Sequence, residues 1–210
     1  MTPTTARRSP GRPRAGVNQA VYAATLRTVH DVGYARATVE RIAAAAGIAK
    51  TTVYRRWPTK GALIVDCLLD AFGPAPLGAT DPGTATGTAG GNTESGTDLG
   101  SAERGALIES GIRWIAGRIG QPGVGDAFAG VFSDAVSDPA LRELLASRFQ
   151  DPYRQALQEA LGEPEQRVLF LIDTVVGTLL HRLGMTGEPM SDTDVDALVA
   201  MVRRFFAAPE

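Results

Sequence analysis

Eight residues of the sequence, KTTVYRRW from Lys50 to Trp57, carry side chains that suit contact with a polyanion. Two of them are threonines, one is a tyrosine and three are cations, within a stretch short enough to be one helix. Hydroxyls and cations are the groups that read base edges and hold phosphates in double-stranded DNA. This stretch therefore predicts a helix whose exposed face contacts nucleic acid.

The flanking residues predict two short helices joined by a tight turn. Thr38 can cap the first helix, and Gly47 suits the turn because glycine readily adopts the left-handed conformation that ends helices. Pro58 disfavours helical geometry in the residue before it, so the second helix ends near Trp57. Two helices arranged in this way form a helix-turn-helix, whose second helix enters the DNA major groove.

Apolar residues recur at helical spacing through most of the chain, and no segment alternates in the manner of a half-buried strand. This pattern predicts an all-α fold of about nine helices. Besides the two helices above, they are expected at about residues 17–32, 59–72, 104–119, 124–136, 139–161, 164–183 and 192–206. Pro152 predicts a distortion in the helix at 139–161.

Charge is distributed unevenly along the chain. Residues 1–60 contain eleven Lys and Arg but only two acids, Asp31 and Glu40, which gives this part a charge of +9. The remainder carries −11, so the net charge of −2 conceals the asymmetry. A basic amino-terminal unit on an acidic body indicates a polyanion partner for the first part only. The alternative is a chance bias between two solvated surfaces.

Two segments lack the apolar residues that packing requires. Residues 1–16 are predicted to form a flexible basic arm, in which Arg12 and Arg14 could enter a DNA minor groove; a merely solvated tail is the alternative. Residues 73–103 are rich in Gly, Thr and Ala, and are predicted to be a disordered linker. The predicted organisation is an arm (1–16), a DNA-binding domain (17–63), a connecting helix (64–72), the linker (73–103) and a carboxy-terminal helical domain (104–210).

The first 63 residues resemble the TetR family of bacterial transcriptional regulators. The resemblance is carried by Gly33-Tyr34, Thr38, Ile42-Ala43, Ala46-Gly47-Ile48, Thr52-Val53-Tyr54, Trp57-Pro58, Lys60 and Leu63, which match in type and spacing. In the carboxy-terminal half, SDPALRELLASRFQDPYRQAL and LLHRLGMTGEP resemble one subgroup of this family more weakly.

The resemblance implies a TetR-like all-α fold with an amino-terminal three-helix DNA-binding domain and a carboxy-terminal ligand-binding and dimerisation domain. It implies a cytoplasmic, sequence-specific regulator of transcription that binds double-stranded operator DNA as a homodimer. A repressor released from a palindromic operator by a small-molecule effector is expected, and an activator is the alternative.

By position, the resemblance places DNA contacts in the recognition helix and at the starts of its neighbours, and the basic arm adds Arg12 and Arg14. Thr51 and Thr52 would meet bases, whereas Tyr54 and Lys60 would hold phosphates. Trp57 is expected to pack in the core. The expected DNA-contacting set is Arg12, Arg14, Thr38, Lys50, Thr51, Thr52, Tyr54, Arg55 and Lys60.

The sequence departs from the family pattern in two places that affect DNA reading. Ala49 stands where a capping serine is usual, which costs the recognition helix about 1 kcal/mol at its start. Thr51 stands where a small residue is frequent and would alter base reading. The operator of a relative therefore cannot be assumed for this chain.

The resemblance also implies a ligand pocket and a dimer interface in the carboxy-terminal domain. The residues expected to line the pocket are Trp114, Arg118, Phe128, Phe132, Phe149, Phe170 and His181, although aromatic residues on helices more often belong to the core. The residues expected at the interface are Leu169, Ile172, Val176, Leu179, Leu180, Leu183, Leu198, Met201, Val202 and Phe205.

Two other classes of protein compete with a regulator. An enzyme is disfavoured because the chain has two histidines, one cysteine and no phosphate-binding loop, and because no metal site or cofactor is implied. A DNA-coating protein would not need a large acidic body. Cys67 is expected to be a buried apolar residue, and the longest apolar stretch, Val168 to Leu180, is too short to span a bilayer.

Overall fold

The computed structural model describes residues 14–74 and 100–207, and every regular element in these two ranges is helical. The elements are α1 (Arg14–Val32), a 3₁₀ turn (Tyr34–Arg36), α2 (Val39–Ala46), α3 (Lys50–Arg56), α4 (Lys60–Phe72), α5 (Ser101–Ile119), α6 (Val124–Ser137), α7 (Pro139–Leu145), a π-helical turn (Ala146–Gln150), α8 (Asp151–Leu161), α9 (Glu165–Thr186) and α10 (Asp192–Ala207). Helix α7, the π turn and α8 follow one another without a gap and form one continuous helical segment. Counted in this way, the described residues contain nine helices. The predicted all-α class is confirmed.

Local sequence signals explain the helix-turn-helix. The Thr38 hydroxyl accepts a hydrogen bond from the Arg41 amide at 3.3 Å and caps α2. Gly47 ends α2 with a φ of 66°, and the Ile48 amide then donates to the Ala43 carbonyl at 3.0 Å. Ala49 provides no side-chain cap for α3, as expected.

Two groups of buried apolar residues stabilise the described part of the chain. The amino-terminal core holds the DNA-binding unit together and consists of Val21, Ala24, Val39, Ile42, Ala43, Val53, Trp57 and Leu63. The body core extends from the end of α1 to α10. Helix α4 contributes to both, because Leu63 packs in the first core while Ile64, Leu68 and Phe72 pack in the second. One helix thus joins the DNA-binding unit to the body.

Helix α6 makes a second connection between the DNA-binding unit and the body. The Tyr34 hydroxyl donates to the Asp134 carboxylate at 2.6 Å, and the Tyr34 ring covers Gly130. A Cβ at Gly130 would lie 2.1 Å from Cγ of Tyr34, so glycine is required for this close approach. At the start of the same helix, a Cβ on Gly123 would lie 2.1 Å from the Leu26 carbonyl oxygen of α1.

The structure changes two helix predictions and does not describe most of two predicted segments. Helix α1 begins at Arg14, three residues before the expected position, so residues 14–16 belong to a helix and not to the arm. The distortion expected at Pro152 is a π-helical turn that ends two residues before it, because a proline in the first turn of α8 needs no amide partner. The rest of the predicted arm and most of the linker, residues 75–99, lie outside the described residues.

Helix α9 (Glu165–Thr186) lies close to its predicted range of 164–183 and extends beyond the apolar stretch Val168–Leu180 at both ends. It spans 22 residues with a mean hydropathy of 1.5, and by length and composition alone it could cross a bilayer, contrary to the sequence-based expectation. Four of its side chains nevertheless belong to the buried core, namely Val168, Leu171, Val175 and Leu179. The helix also packs against α5, α6 and α8, so it is an integral part of the helical body.

Candidate nucleic-acid interface and ligand cavity

Helix α3 presents a polar, cationic face to solvent. Lys50, Thr51, Tyr54 and Arg55 are exposed and Thr52 is half-buried, whereas Val53 faces the amino-terminal core. Helix α2 and the core hold α3 on the outside of the unit, where its face could lie against a groove of DNA. All five of the residues expected in this helix therefore remain available to DNA, with Thr52 the most restricted.

Tyr54 has a partner on α2 that the sequence analysis did not find. Its hydroxyl donates to Oε1 of Glu40 at 2.8 Å, and this bond raises the pKa of Tyr54. The bond of Glu40 to its own backbone amide is the main cause that lowers the pKa of its carboxylate, and Tyr54, Thr38 and Lys50 lower it further. A carboxylate thus occupies the place where Tyr54 and the start of α2 would hold a DNA phosphate. A tyrosine and an acid fourteen residues apart give no periodic signal.

Lys60 and Thr38 line the same surface recess as Glu40 and Tyr54. The Lys60 ammonium donates to the Tyr34 carbonyl at 2.5 Å and lies 3.5 Å from the centre of the Tyr34 ring. Burial lowers the pKa of Lys60, and the nearby Asp134 raises it. Lys60 was expected to contact a phosphate. In this conformation its ammonium instead contacts the carbonyl and the ring of Tyr34.

The structure describes the arginines of the arm and of α3 to different extents. Arg12 lies outside the described residues, and Arg14 is the first residue of α1, with only its backbone described. Arg56 donates to the Asn18 carboxamide and so ties α3 to α1. Trp57 is buried as expected, and its Nε1 donates to Asp66 at 2.8 Å.

Comparison with known proteins identifies the family to which this chain belongs. The family model described as "Bacterial regulatory proteins, tetR family" matches residues 21–67, and the model described as "Tetracyclin repressor-like, C-terminal domain" matches residues 104–202. An HTH-type transcriptional regulator of Mycobacterium tuberculosis is 30% identical over 200 residues, which cover 91% of this chain and 86% of the relative. The chain belongs to the TetR family. It is a helix-turn-helix regulator of transcription.

Other TetR-type relatives cover the chain equally well. The HTH-type transcriptional regulator YdeS of Bacillus subtilis is 27% identical over 200 residues, covering 90% of this chain and 89% of the relative. A TetR transcription regulator from Haloarcula marismortui has the same fold, with a TM-score of 0.58, 17% identity and coverage of 92% and 95% of the two chains. The multidrug binding protein EbrR also has a TM-score of 0.58, with 17% identity and coverage of 95% and 98%.

The helical body of this TetR-family protein contains a cavity of about 310 Å³. Helices α4, α5, α6, α8 and α9 and the π turn contribute to its wall. Aromatic rings in edge or tilted contact make up much of it, with centroids 5.2 Å apart for both Phe72–Phe149 and Phe128–Phe149. The aromatic residues of the wall are Phe72, Trp114, Phe128, Phe132, Phe149 and Tyr153.

Four of the seven residues expected in a pocket line this cavity, and three do not. Trp114, Phe128, Phe132 and Phe149 are part of the wall. Phe170 is 54% exposed and stacks on Phe205 with ring centroids 5.2 Å apart, so it faces away from the cavity. His181 is also exposed, and Arg118 is half-buried outside the wall. The apolar residues near these three positions in the sequence did not determine whether their side chains would face the cavity.

Phe72, Tyr153 and Asp173 also line the cavity but were not among the residues expected there. Phe72 comes from the end of α4, remote in sequence from the rest of the wall, so no local pattern could reveal it. Tyr153 follows Phe149 at helical spacing, and that spacing was a usable signal. Asp173 interrupts the apolar stretch of α9, which also was a usable signal for a polar group at a site.

The cavity has direct links to the DNA-binding unit. The Tyr153 hydroxyl donates to the Gly73 carbonyl, just after α4, at 2.8 Å. Arg148, in the π turn beside Phe149, donates to Asp66 of α4 at 2.5 Å. The other oxygen of Asp66 accepts the Trp57 hydrogen bond, so one carboxylate connects the cavity wall to the end of α3.

Exposed apolar side chains lie on both α9 and α10, and Phe170 of α9 contacts Phe205 of α10. The most exposed of these side chains are Phe170, Met185, Met201 and Phe205. Three residues expected at a dimer interface are instead at most 4% exposed, and they pack inside one chain: Leu179, Leu198 and Val202. Helical periodicity gave the apolar positions but not which side of each helix the body would cover.

Proposed function

We propose that this TetR-family regulator is a repressor. In this proposal it binds a palindromic operator as a homodimer in the cytoplasm and leaves the operator when a small molecule enters the body cavity. The observation that carries the proposal is the exposed hydroxyl and cation face of α3, held on a unit that shares α4 with the cavity-bearing body. The family membership supports the direction of the response, since a bound repressor blocks transcription by occupying its site.

In the operator complex, α3 lies in the major groove and reads bases with Thr51, Thr52 and Lys50. Threonine can contact a thymine methyl or exchange a hydrogen bond with a base edge, and lysine can donate to guanine. Tyr54 and the amides at the start of α2 hold a phosphate, which requires Glu40 to release the Tyr54 hydroxyl. Lys60 adds a phosphate contact only if its ammonium leaves the Tyr34 carbonyl.

The homodimer forms through the exposed apolar surface of α9 and α10. Large apolar side chains at 39–72% exposure, gathered on two adjacent helices, mark a protein contact more often than a solvated surface. Five other residues expected at the interface are half-buried. Three of these, Ile172, Val176 and Leu180, line the cavity, whereas Leu169 and Leu183 do not. A two-fold axis then relates the two DNA-binding units. Because each unit binds one half-site, the operator is predicted to be a palindrome.

Release depends on the links between the cavity and α4. A ligand that moves Phe72 or Phe149 also moves the end of α4 or the Arg148–Asp66 pair. Because α4 packs in both cores, a shift of this helix changes the spacing of the two recognition helices in a dimer. The two sites are then coupled, and the ligand weakens DNA binding by the factor by which DNA weakens ligand binding.

Affinity selection of genomic fragments by the purified protein, at about 150 mM salt, tests the DNA-binding part of this proposal. The Thr51→Ala/Thr52→Ala double variant is the matched control, because it keeps every cation and changes only side chains expected to meet bases. We expect the parent to enrich one short palindrome and the variant to enrich a different or weaker motif. Uniform recovery of fragments by the parent would instead indicate a DNA-coating protein.

A further inference from the structure

The cavity wall is aromatic and aliphatic almost throughout, and its polar groups are few. Among the residues that the structure describes, the wall side chains with oxygen atoms are those of Gln150, Tyr153 and Asp173, and the Trp114 indole adds one N–H donor. No lysine, arginine or histidine belongs to this described wall. A bound carboxylate or phosphate would lose its hydration here without gaining a cationic partner.

The three side chains with oxygen atoms are not equivalent. The Tyr153 hydroxyl already donates to the Gly73 carbonyl, and burial raises its pKa, so it remains a neutral phenol at physiological pH. The Gln150 carboxamide is uncharged and can donate or accept. Asp173 is an exposed residue of α9 and is the one acidic residue of the described wall.

We propose that the cavity takes a lipophilic organic cation, with its aromatic body among the Phe72, Phe128 and Phe149 rings and its positive charge directed to Asp173. This inference rests on the proposed function of the cavity as the effector site, and it adds the chemical class of the effector. The volume of about 310 Å³ is at the small end of the range for ligand sites, and it suits a molecule of two or three fused rings.

Two features of the wall favour a cation over a neutral molecule of the same shape. Ring faces attract positive charge through their quadrupoles, and this attraction strengthens where water is excluded. The Asp173 carboxylate adds a direct partner. Burial raises the pKa of Tyr153, and the charge of Arg118, which is outside the wall, partly opposes that rise. Because this positive charge reaches the Tyr153 end of the cavity, the cationic end of a ligand belongs at the Asp173 end.

Three probes of nearly equal size separate charge from shape: N-methylquinolinium (a cation), 1-methylnaphthalene (neutral) and 1-naphthoate (an anion). Equilibrium dialysis against the full chain, read by absorbance, gives an affinity for each. We expect the cation to bind about tenfold more tightly than the neutral probe, and the anion to bind most weakly. Equal or tighter binding of 1-naphthoate, or no binding of any probe, overturns the inference.

Asp173→Asn tests whether this carboxylate is the partner. The variant should remove most of the advantage of N-methylquinolinium over 1-methylnaphthalene and leave the affinity for the neutral probe unchanged. Asp31→Asn, the same chemical change at an exposed residue of α1, should leave both affinities unchanged. A cation preference that persists in Asp173→Asn, or is equally lost in Asp31→Asn, contradicts the assignment.

The same probes separate this inference from the proposed function. N-methylquinolinium is added to the complex that the protein forms with its selected genomic fragments, and the release of DNA is measured. Asp173-dependent binding that does not release the fragments supports the ligand class and rejects the proposed release mechanism. Release by 1-naphthoate at lower concentration than by N-methylquinolinium supports the release mechanism and rejects the ligand class.

Discussion

At the scale of single residues, we propose that the pair formed by Glu40 and Tyr54 controls the phosphate contacts at one edge of the DNA-binding unit. The two side chains are exposed and joined at 2.8 Å, so the acid both holds the hydroxyl and opposes an incoming phosphate. A negative charge on this surface lowers the affinity for every DNA sequence alike, since it repels the phosphate backbone.

Glu40→Gln is expected to tighten binding to all DNA sequences by about threefold to tenfold at low salt, because it removes a negative charge from the phosphate position. Screening should reduce the gain as salt rises. Fluorescence anisotropy of a labelled duplex measures the effect, with Asp31→Asn as the control for a general loss of negative charge. A Glu40→Gln protein that binds no more tightly than Asp31→Asn would show that Glu40 does not oppose DNA.

Tyr54→Phe is expected to weaken binding to all sequences by about fivefold, because it removes a hydroxyl that donates to a phosphate. The loss stays modest in the parent because Glu40 competes for the same hydroxyl. Tyr22→Phe is the matched control, since this tyrosine packs against Trp57 inside the same unit. Anisotropy titrations at several salt concentrations provide the measurement, and equal affinity of Tyr54→Phe and the parent at all of them rejects the phosphate role.

At the scale of helices and turns, the close approach of α6 to Tyr34 connects the DNA-binding unit and the body. The Tyr34 ring lies over Gly130, and its hydroxyl donates to the Asp134 carboxylate. The Lys60 ammonium lies 3.5 Å from the centre of the same ring. Burial and the bond to Asp134 raise the pKa of Tyr34, so its hydroxyl keeps the proton that it donates.

Gly130→Ala is expected to destabilise the protein by about 1–3 kcal/mol, because the new Cβ would lie 2.1 Å from the Tyr34 ring and the ring would have to move. Gly117→Ala is the matched control: it is also inside a helix, and nothing lies within 4 Å of its added Cβ. The control should be neutral or stabilising by up to about 1 kcal/mol, because alanine favours a helix. Urea unfolding compares the two; equal stability of both variants would mean that the contact does not constrain the fold.

Signals that reside in neighbouring residues were sufficient to predict the elements. The cap at Thr38, the turn at Gly47 and the uncapped start at Ala49 depend on a few adjacent residues, and each was found as expected. The direction of the Lys60 side chain and the place of Phe72 depend on partners far along the chain. No local pattern contains that information, so these could not be predicted from one sequence.

At the scale of the whole molecule, the open apolar surface of α9 and α10 and the shared helix α4 set how two copies would respond to a ligand. The surface gives a place for a second chain, and α4 connects the cavity to the recognition helix. The helical pattern predicted that α9 would be apolar on more than one face. It could not separate the face covered by the body from the face left open.

Met201→Asp is expected to raise the dimer dissociation constant at least tenfold, because it places a charge at the centre of the proposed interface. Met201 is 53% exposed, so the change should leave the fold of one chain intact. Val136→Asp is the matched control, since Val136 is an 80% exposed apolar residue on α6, outside that surface. Sedimentation velocity at micromolar concentration reports the result; a parent that is only monomeric, or equal effects of both variants, would reject this interface.

Operator binding by the proposed dimer requires two copies of α3 to read two half-sites. An anisotropy titration at about 150 mM salt compares the genomic fragment recovered by selection with the same fragment after one half-site is scrambled. Scrambling one half-site is expected to weaken binding by at least a hundredfold, because the second unit then contributes only contacts to phosphates. Equal affinity for the two fragments would contradict sequence-specific binding by a dimer.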